Sequence, residues 1–553
     1  MQNNIEKTYK LWLEKIPQSD PLHDELTNMS SEQINNAFYK DLEFGTGGLR
    51  GIMGAGSNCL NKYTIIKATA GLACYMKKHG LSSAAITYDS RINSKEFSFI
   101  TAETLASYGI TAYITDTCMP TPFLSFAIRK LNCDVGVNVT ASHNPKQYNG
   151  YKVYDKTGCQ VLDKIANAIT DEIEKIDPFD QNVKAFDELI EEDKIKYISD
   201  TTKQDYYLTV ESESLDKICP ELNIVYTPLN GAGHIATPTV LKKMGAKNLT
   251  IVPEQSYPDG NFTTCPYPNP EKIEALSLAI KLANETGADI VVANDPDCDR
   301  LGVAVQKESG FAPLTGNEVG ILLVDYILSR RKENGTLPET PQVVTTIVST
   351  PMINALAKDY NATVVDVLTG FKYIGDVINR LEKHSEQSNF VFGFEESCGY
   401  LKGTYARDKD GVVAAMLVCE MASYYKKQGL SLYQRLLQLF DKYGRYDQCL
   451  LSYRFEGADG AVLKQELLSN LRKHPFENLA ESPTTSTTDL LEPSTLPKAD
   501  VLIWKADDGT KLVIRPSGTE PLIKCYLFTN GDSHTNLKKL DKLQAQLDMV
   551  LAK

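Results

Sequence analysis

The sequence predicts an α/β protein built from several domains, and three observations support this prediction. Short apolar runs typical of strands alternate with longer runs of helical periodicity, this alternation restarts twice, and the C-terminal part follows a different pattern. The chain has 553 residues, which is more than one hydrophobic core organises. Because strands that alternate with helices form parallel or mixed sheets covered by helices, we expect three related α/β units and a smaller α+β unit.

The first round of this alternation lies between residues 84 and 139. Its strands are AAITYD, ITAYITD and CDVGVNV, and its helices are SKEFSFITAETLASYG and PTPFLSFAIRKLN. The third strand leads directly into TASHNPKQYNGYKVY, residues 140–154. We therefore expect Ser142 on a loop at the carboxyl end of a strand.

The second and third rounds repeat this pattern, and the C-terminal part departs from it. The second extends from the strand in NIVYTPLNGAG (223–233) to a helix and two strands within 271–306. The third runs from the helical NEVGILLVDYILSRRK (317–332) to the strand NFVFGFEES (389–397). The C-terminal part has a pair of strands within 501–528 and a terminal helix.

The segment ESPTTSTTDLLEPSTLPKAD, residues 481–500, lies before this pair of strands. It is polar and rich in Ser, Thr and Pro. We therefore predict a long surface loop there.

Composition argues against several classes of function. Lysine and arginine number 58 and aspartate and glutamate 71, giving a net charge of −13, which disfavours a general nucleic-acid binder. No run approaches the roughly 20 apolar residues of a membrane span, and the N-terminus lacks the apolar core of a signal peptide. The 12 cysteines contain no CxxC pair, which fits reduced thiols. We expect a cytoplasmic protein without nucleic-acid or membrane partners.

An acidic turn is the strongest candidate metal site. NDPDCDR places Asp295, Asp297 and Asp299 at alternate positions, where the carboxylates repel one another unless a cation neutralises them. An EF-hand loop would need glycine and glutamate where Arg300 and Gln306 stand. Oxygen ligands in a tight strand-to-strand turn favour Mg²⁺. The alternative is an ordinary solvated turn.

A second candidate site is the segment RPSGTEP, residues 515–521. It offers Arg515, the hydroxyls of Ser517 and Thr519, and Gly518, which lets backbone N–H groups approach an anion. The planar guanidinium of arginine matches phosphate oxygens. We predict a phosphate site, with a hairpin turn that carries an incidental arginine as the alternative.

The segment GFEESCGYLKGTYARDKDG, residues 393–411, combines carboxylates, a hydroxyl and cations. These are Glu395, Glu396, Ser397, Arg407 and Lys409. Adjacent carboxylates on an extended chain point to opposite sides, so they cannot flank one glycosidic bond, and we expect hydrogen bonds to sugar hydroxyls instead. TGFKYIG adds Lys372 and FGTGGLRG adds Arg50, but neither matches a nucleotide fingerprint.

The chemistry of Ser142 is not decided by its own loop. A serine hydroxyl is a poor nucleophile unless a neighbouring base or a prepared electrostatic environment assists it. The flanks do not form GxSxG, which argues against an esterase elbow. A simple turn is the alternative, since Ser, Asn and Pro are common turn residues.

Taken together, four motifs in this order resemble the α-D-phosphohexomutase superfamily, the phosphoglucomutase and phosphomannomutase enzymes, over essentially the whole chain. They are TASHNP for the phosphoserine loop, DPDCDR for the metal loop, GFEES for the sugar loop and RPSGTEP for the phosphate loop. The resemblance implies a heart-shaped enzyme of four domains around a central cleft, three related α/β domains with mixed sheets and a smaller α+β domain. We place these domains at 1–205, 206–312, 313–435 and 436–553.

The resemblance also implies a role for each site residue. Ser142 would carry the phosphoryl group and would bind Mg²⁺ together with Asp295, Asp297 and Asp299. The other implied catalytic residues are Arg50 and Arg300, which stabilise the phosphoryl in transit, and Lys152, Lys409 and His143 for proton transfer. The implied substrate-binding residues are Gly370, Phe371, Lys372, Glu395, Ser397, Arg407, Arg515, Ser517, Gly518 and Thr519. A lysine base needs a lowered pKa, which we expect from a cation-rich pocket.

The implied reaction moves a phosphoryl group between C1 and C6 of glucose phosphate. A sugar 1,6-bisphosphate would be the intermediate and activator, and the enzyme would be a monomer or a homodimer. Phe394 replaces a glycine of well-known glucose enzymes, and this resembles a branch that includes phosphopentomutase and glucose-1,6-bisphosphate synthase. Ribose, deoxyribose and mannose phosphates therefore stay open as substrates. A Mg²⁺-dependent sugar phosphatase and a sugar-phosphate-binding module are the rival classes.

Overall fold

The computed structural model describes residues 2–45, 47–455, 457–517 and 522–551. Within these residues the chain forms four sheets, and each sheet has its own helices. Three sheets are mixed and covered by helices, which confirms the three predicted α/β domains. The fourth sheet is antiparallel, so the C-terminal domain, predicted as a smaller α+β unit, is rich in strands.

Domain I begins with a helical segment and continues as a mixed sheet. Its elements are α1 Gln2–Lys15, α2 Pro21–Thr27, α3 Ser31–Phe38, β1 Gly48–Ile52, α4 Lys62–Lys78, β2 Ser83–Tyr88, α5 Ser94–Ser107, β3 Thr111–Ile114, α6 Thr121–Leu131, β4 Val135–Val139, β5 Tyr148–Asp155, α7 Asp163–Ile173, α8 Phe186–Glu191, β6 Ile195–Tyr197 and α9 Asp200–Ser212. The strand order is β1-β5-β4-β2-β3-β6. Strand β5 runs antiparallel to β4 and β1, whereas β2, β3, β4 and β6 pair in parallel.

Domain II has a smaller mixed sheet. Its elements are β7 Asn223–Thr227, α10 Gly233–Lys243, β8 Asn248–Ile251, α11 Ile273–Thr286, β9 Ile290–Asn294, β10 Leu301–Lys307 and β11 Gly310–Leu314. The strand order is β11-β10-β9-β7-β8, and β10 runs antiparallel to β9.

Domain III repeats the pattern with four strands. Its elements are α12 Gly316–Glu333, β12 Gln342–Thr346, α13 Met352–Lys358, β13 Thr363–Val367, α14 Phe371–Lys383, β14 Phe390–Glu395, β15 Gly399–Leu401, α15 Gly411–Lys426 and α16 Leu432–Tyr443. The order is β13-β12-β14-β15, and β15 runs antiparallel to β14.

Domain IV is a six-stranded antiparallel sheet with two long helices. Its elements are β16 Tyr446–Arg454, α17 Gly457–Lys473, β17 Asn478–Leu479, β18 Ser482–Asp489, β19 Leu502–Ala506, β20 Lys511–Pro516, β21 Leu522–Asn530 and α18 Ser533–Leu551. The prediction of a loop over 481–500 is wrong for its first half, because β18 pairs with β19 there. Threonine is β-branched and fits a strand with an exposed face, which outweighs the polarity of this run.

One connection recurs in the first three sheets and carries the site. The last strand of the parallel set leads by a short loop into an antiparallel neighbour: β4 into β5, β9 into β10 and β14 into β15. Each loop contains a non-glycine residue with left-handed backbone, namely Ser142 (φ 54°), Cys298 (φ 54°) and Cys398 (φ 62°). The serine, metal and sugar loops therefore occupy equivalent positions in three related domains.

Apolar packing joins the domains behind these loops. The largest cluster runs from Phe123 on α6 through Tyr206 on α9 and Tyr226 on β7 to Met416 on α15. A separate cluster joins domain III to domain IV through residues such as Val348 and Val513. The predicted domain limits after residues 205, 312 and 435 fall inside α9, β11 and α16, so at the level of single residues the limits stay predictions.

In the part of the chain that the structure describes, none of the helices has the length and apolar character needed to cross a bilayer.

Candidate active site

The Ser142 hydroxyl lies at the meeting point of domains I and II. Its Oγ donates a hydrogen bond to Asp295 Oδ2 at 3.1 Å and lies 3.2 Å from His143 Nδ1. Its backbone N–H donates to Thr140 Oγ1 at 2.8 Å. The residue is buried and has a positive φ, which costs energy for a serine and signals a functional constraint.

Arg91 anchors this loop, although sequence analysis did not select it. Its buried guanidinium donates to four backbone carbonyls: Ser142 O at 2.5 Å, Asn144 O, Pro145 O at 3.0 Å and Tyr148 O at 3.1 Å. A planar fork with five donors suits such a set of acceptors. The available signal was the YDSR segment, which follows β2, the parallel neighbour of β4.

Asp89 holds Arg91 in place. Its Oδ2 lies 3.2 Å from Arg91 Nε and accepts a hydrogen bond from Thr140 Oγ1 at 2.6 Å. Its Oδ1 accepts one from Ser94 Oγ at 2.6 Å. Because Thr140 also binds the backbone of Ser142, a continuous hydrogen-bonded network connects Asp89 to the serine loop.

The acidic turn forms a compact buried cluster, as the sequence predicted. Asp295, Asp297 and Asp299 are each fully buried, and ligand oxygens from the three lie within 4.8 Å of one another. Asp295 Oδ1 accepts hydrogen bonds from the backbone N–H groups of Asp299 and Arg300 at 3.1 and 3.0 Å. Burial and the two neighbouring carboxylates raise the pKa of Asp295 well above its usual range.

Two oxygens of this cluster fit a hard cation. Asp297 Oδ1 and Asp299 Oδ1 are buried and have no hydrogen-bond partner among the described residues. Unpaired buried carboxylate oxygens are costly, and a divalent ion with oxygen ligands satisfies them. The donor set therefore fits Mg²⁺ better than a soft metal.

Thr121 positions Asp297 and was also missed. Its Oγ1 donates to Asp297 Oδ2 at 3.0 Å, and its backbone N–H donates to Asp297 O at 2.8 Å. Thr121 is the first residue of α6, so the N-terminus of a domain I helix meets the metal loop of domain II. A carboxylate is stabilised at this end of a helix.

Two lysines contact the acidic cluster. Lys152 Nζ lies 2.9 Å from Asp297 Oδ2 and 3.4 Å from Asp299 Oδ2, and Lys409 Nζ lies 2.9 Å from Asp299 Oδ2. Burial disfavours the charged amine, but Asp297 and Asp299 outweigh it and raise the pKa of Lys152. Asp299 and Asp408 likewise outweigh burial and raise the pKa of Lys409. The nearest charges to both amines are carboxylates, which act against the lowered lysine pKa values that we expected.

The remaining catalytic candidates surround Ser142. Arg50 lies on β1, and desolvation by the surrounding protein lowers its pKa although the charge of Asp297 opposes this. Arg300 Nε lies 4.0 Å from Asp295 Oδ2. Burial, with the charges of Arg300 and Arg50, lowers the pKa of His143 well below its usual range. This environment favours the neutral form of the imidazole beside Ser142.

The sugar loop meets the metal loop directly. The backbones of Arg300 and Gly399 form a β-bridge, and the Leu301 N–H donates to Cys398 O at 3.0 Å. Glu395 is buried, and its Oε1 accepts from the Gly370 N–H at 2.8 Å. Glu396 instead accepts from Thr346 Oγ1, so the adjacent carboxylates have different partners as expected. Ser397 is half-buried beside them.

Two predicted substrate-binding residues are placed elsewhere. Arg407 is fully buried, and its guanidinium donates to Asn379 Oδ1 and Glu382 Oε2, both at 2.6 Å, and to the Thr404 carbonyl at 2.5 Å and the Ala406 carbonyl at 3.1 Å. Phe371 packs in the apolar core of domain III. Both side chains stabilise domain III in this structure, so a role of Arg407 and Phe371 in substrate binding stays a prediction.

Two further residues have informative positions. Lys372 Nζ pairs with Asp163 of domain I at 2.7 Å, so a role in substrate binding stays a prediction. Phe394 is fully buried and stacks near Phe392, so its side chain belongs to the protein core.

The predicted phosphate loop is described in part. Arg515 is the half-buried penultimate residue of β20, and the Ser517 N–H donates to Leu522 O at 2.9 Å. Burial and Asp163 raise the pKa of Tyr373 to about 12, and the charge of Arg515 acts against this, which places Arg515 near the start of α14. Gly518 and Thr519 lie outside the described residues.

Comparison with known proteins identifies the family. Phosphoglucomutase/phosphomannomutase alpha/beta/alpha domains I, II and III match residues 41–180, 196–310 and 315–443. A phosphoglucomutase of Staphylococcus saprophyticus is 34% identical over 533 residues, which cover 93% of this chain and 95% of that relative. This chain belongs to the phosphoglucomutase/phosphomannomutase family.

Solved structures agree with this family in fold. The exocytosis-sensitive phosphoprotein parafusin of Paramecium, a phosphoglucomutase in its open form, has a TM-score of 0.73 at 17% identity, covering 93% of this chain and 96% of its own. N-acetylphosphoglucosamine mutase of Aspergillus fumigatus, in complex with GlcNAc-6P and magnesium, has a TM-score of 0.54 at 13% identity, covering 99% of each chain. The serine, metal and sugar loops of this phosphoglucomutase/phosphomannomutase family member lie one in each matched domain.

Proposed function

We propose that this protein is a phosphoglucomutase, which moves a phosphoryl group between C1 and C6 of glucose phosphate through a phosphoserine at Ser142. One observation carries the proposal: the Ser142 hydroxyl contacts a buried cage of three carboxylates, two of whose oxygens have no partner among the described residues. The Staphylococcus relative, named phosphoglucomutase, supports glucose as the sugar.

Phosphoryl transfer requires charge stabilisation more than activation of the serine. In this proposal Asp295, Asp297 and Asp299 would hold Mg²⁺, which would supply positive charge near the phosphoryl group carried by Ser142. Arg50 and Arg300 add two guanidinium groups beside it. Arg91 keeps the loop backbone in place, so the Ser142 oxygen faces the cage.

Proton transfer needs a group within hydrogen-bond reach of the accepting sugar hydroxyl. We assign this role to Lys152 or Lys409, with His143 in support. Both amines lie at the edge of the carboxylate cage, one from domain I and one from domain III. Both contact Asp299 Oδ2, and two neighbouring amines suit a reaction that proceeds in both directions.

The substrate would be held at both ends. Glu395 and Ser397 would bind sugar hydroxyls, and the loop that begins at Arg515 would bind the phosphate that does not react. After the first transfer the sugar 1,6-bisphosphate must turn within the site, so that the other phosphate returns to Ser142. A single anion site that accepts either phosphate makes this exchange feasible.

The test is an assay with glucose 1-phosphate, Mg²⁺ and a trace of glucose 1,6-bisphosphate. We expect glucose 6-phosphate without release of inorganic phosphate. Inorganic phosphate as the main product would overturn the mutase in favour of a phosphatase. Higher kcat/KM for ribose 1-phosphate or mannose 1-phosphate would reassign the sugar, and net accumulation of the bisphosphate would indicate a bisphosphate synthase.

A further inference from the structure

One irregular segment of domain II covers the serine loop from outside. This covering segment, residues 256–272, follows the short 3₁₀ turn Pro253–Gln255 and ends where α11 begins. It contains no helix or strand. Its backbone touches domain I so closely that a Cβ on Gly260 would lie 2.5 Å from Ile92 N.

The last part of the covering segment orients Arg300. Glu271 Oε1 pairs with Arg300 Nη1 at 2.5 Å. Arg300 Nε is buried, has no hydrogen-bond partner among the described residues, and lies 4.0 Å from Asp295 Oδ2. That same oxygen accepts the hydrogen bond of Ser142. The ion pair therefore holds Arg300 Nη1, while the Nε–H group stays available on the side of Asp295 and Ser142.

The middle of the covering segment contacts two other groups around Ser142. The Phe262 ring is fully buried, and its centroid lies 5.0 Å from the guanidinium carbon of Arg91. The Tyr267 ring stands perpendicular to His143 at 6.0 Å. Three side chains of one segment thus reach three different groups of the serine site.

Polar contacts make the covering segment rigid despite its irregular backbone. Asp259 accepts hydrogen bonds from the N–H groups of Asn261 and Thr263. Asn230 Nδ2 donates to Tyr257 O at 2.8 Å, and the fully enclosed Gln255 donates to Thr264 Oγ1 at 3.2 Å. A rigid segment can keep the side chains that it contacts, Arg300, Arg91 and His143, in one geometry.

We propose that the covering segment is a positioning device, in which Glu271 aligns Arg300 while Phe262 and Tyr267 hold Arg91 and His143. Domain II then sets the geometry at Ser142 in addition to supplying the metal ligands. None of these three side chains is proposed to contact sugar. This inference rests on the proposed phosphoryl transfer at Ser142.

The test is a double-mutant cycle with Glu271→Gln and Arg300→Ala. Glu271 is 32% exposed at its side chain, so the variant should fold. We expect Glu271→Gln to lower kcat roughly 10- to 100-fold, the scale of a lost hydrogen bond between charged groups, with KM changed less than about twofold. In the Arg300→Ala background the same substitution should have no further effect.

The matched control is Glu172→Gln, which removes a comparable glutamate paired with Lys78 and Lys175 on the surface of domain I. It should leave kcat unchanged. An unchanged kcat in Glu271→Gln, or losses that add fully in the double variant, would overturn the positioning role. Phosphorylation of Ser142 by glucose 1,6-bisphosphate, followed by intact mass in the same variants, separates this result from failure of the mutase assignment.

Discussion

Ser142 donates a hydrogen bond to Asp295 across 3.1 Å, although the two residues stand 153 positions apart in the chain. The serine belongs to domain I and the aspartate to domain II. This contact brings the proposed phosphoryl carrier to the proposed cation site, and the predictions below test its parts.

Removal of the serine hydroxyl should abolish turnover. Ser142→Ala has no oxygen to carry the phosphoryl group, so we expect no glucose 6-phosphate above background and a melting temperature near that of the wild type. Ser142→Gly is the matched control for the backbone, because glycine adopts the positive φ at this position without strain. Measurable turnover in either variant would contradict the role of Ser142.

The carboxylate cage should bind Mg²⁺ without any substrate. We expect Mg²⁺ to raise the melting temperature of the wild type, because a ligand that binds the folded state stabilises it. Asp297→Asn should weaken this shift and increase the Mg²⁺ concentration needed for half-maximal activity at least about tenfold. Asp408→Asn is a control beside Lys409 but outside the cage. An equal melting shift in Asp297→Asn and wild type would speak against the site.

Arg91→Lys should lower kcat although the positive charge is kept. An ammonium cannot donate to four carbonyls and pair with Asp89 at once, so the serine loop should lose its fixed position. We expect a loss of roughly 10- to 100-fold in kcat. Arg435→Lys, at the Asp325 pair far from Ser142, is the matched control. Equal kcat values for the two variants would argue against the anchoring role.

Arg515→Ala should mainly weaken substrate binding. The lost contact to phosphate is worth about 1.5–3 kcal/mol, the scale of hydrogen bonds to charged groups, and should appear as a higher KM. Lys505→Ala removes an exposed cation on the neighbouring strand and serves as the control. A KM that changes equally in both variants would indicate a general electrostatic effect.

Glu420 should make the stability of the fold depend on pH. Burial raises its pKa to about 7, against the backbone N–H donors of Leu215 and Asp216. Because the folded pKa exceeds the unfolded value, stability from this group is full at low pH and is lost as pH rises through about 7.

Glu420→Gln should therefore show a smaller fall in melting temperature between about pH 5 and about pH 8 than the wild type. Glu285→Gln on the exposed side of α11 is the control. A wild-type pH profile in Glu420→Gln would disprove the assignment.

Much of the site could be predicted because its residues follow strands. Ser142, Asp295 and Glu395 each lie at or just after the carboxyl end of a strand, where an apolar run stops and polar residues begin. The strand itself is visible in the sequence, and a loop at its end is a common place for function. The Thr-rich β18 was missed because polarity and β-propensity disagreed there.

The supporting residues could not be predicted from local pattern. Thr121 acts across a domain border, whereas Arg91 and Glu271 contact residues of their own domains that are distant in sequence. Nothing in these three segments indicates the partners. Arg407 and Phe371 show a related difficulty: their segments lie near the site, but their side chains are buried in the protein. Side-chain direction at such positions depends on tertiary packing, which spacing alone does not reveal.

The three loop residues with left-handed backbone, Ser142, Cys298 and Cys398, have one more property in common. The carbonyl of Ser142 accepts from Arg91, that of Cys298 from the Gly411 N–H, and that of Cys398 from the Leu301 N–H. The backbone carbonyl of each residue thus accepts a hydrogen bond from a neighbouring segment. For Cys298 and Cys398 this segment belongs to another domain. A shift in the sugar loop would therefore displace the metal loop through a main-chain hydrogen bond, so the positions of Glu395 and Asp295 are mechanically linked.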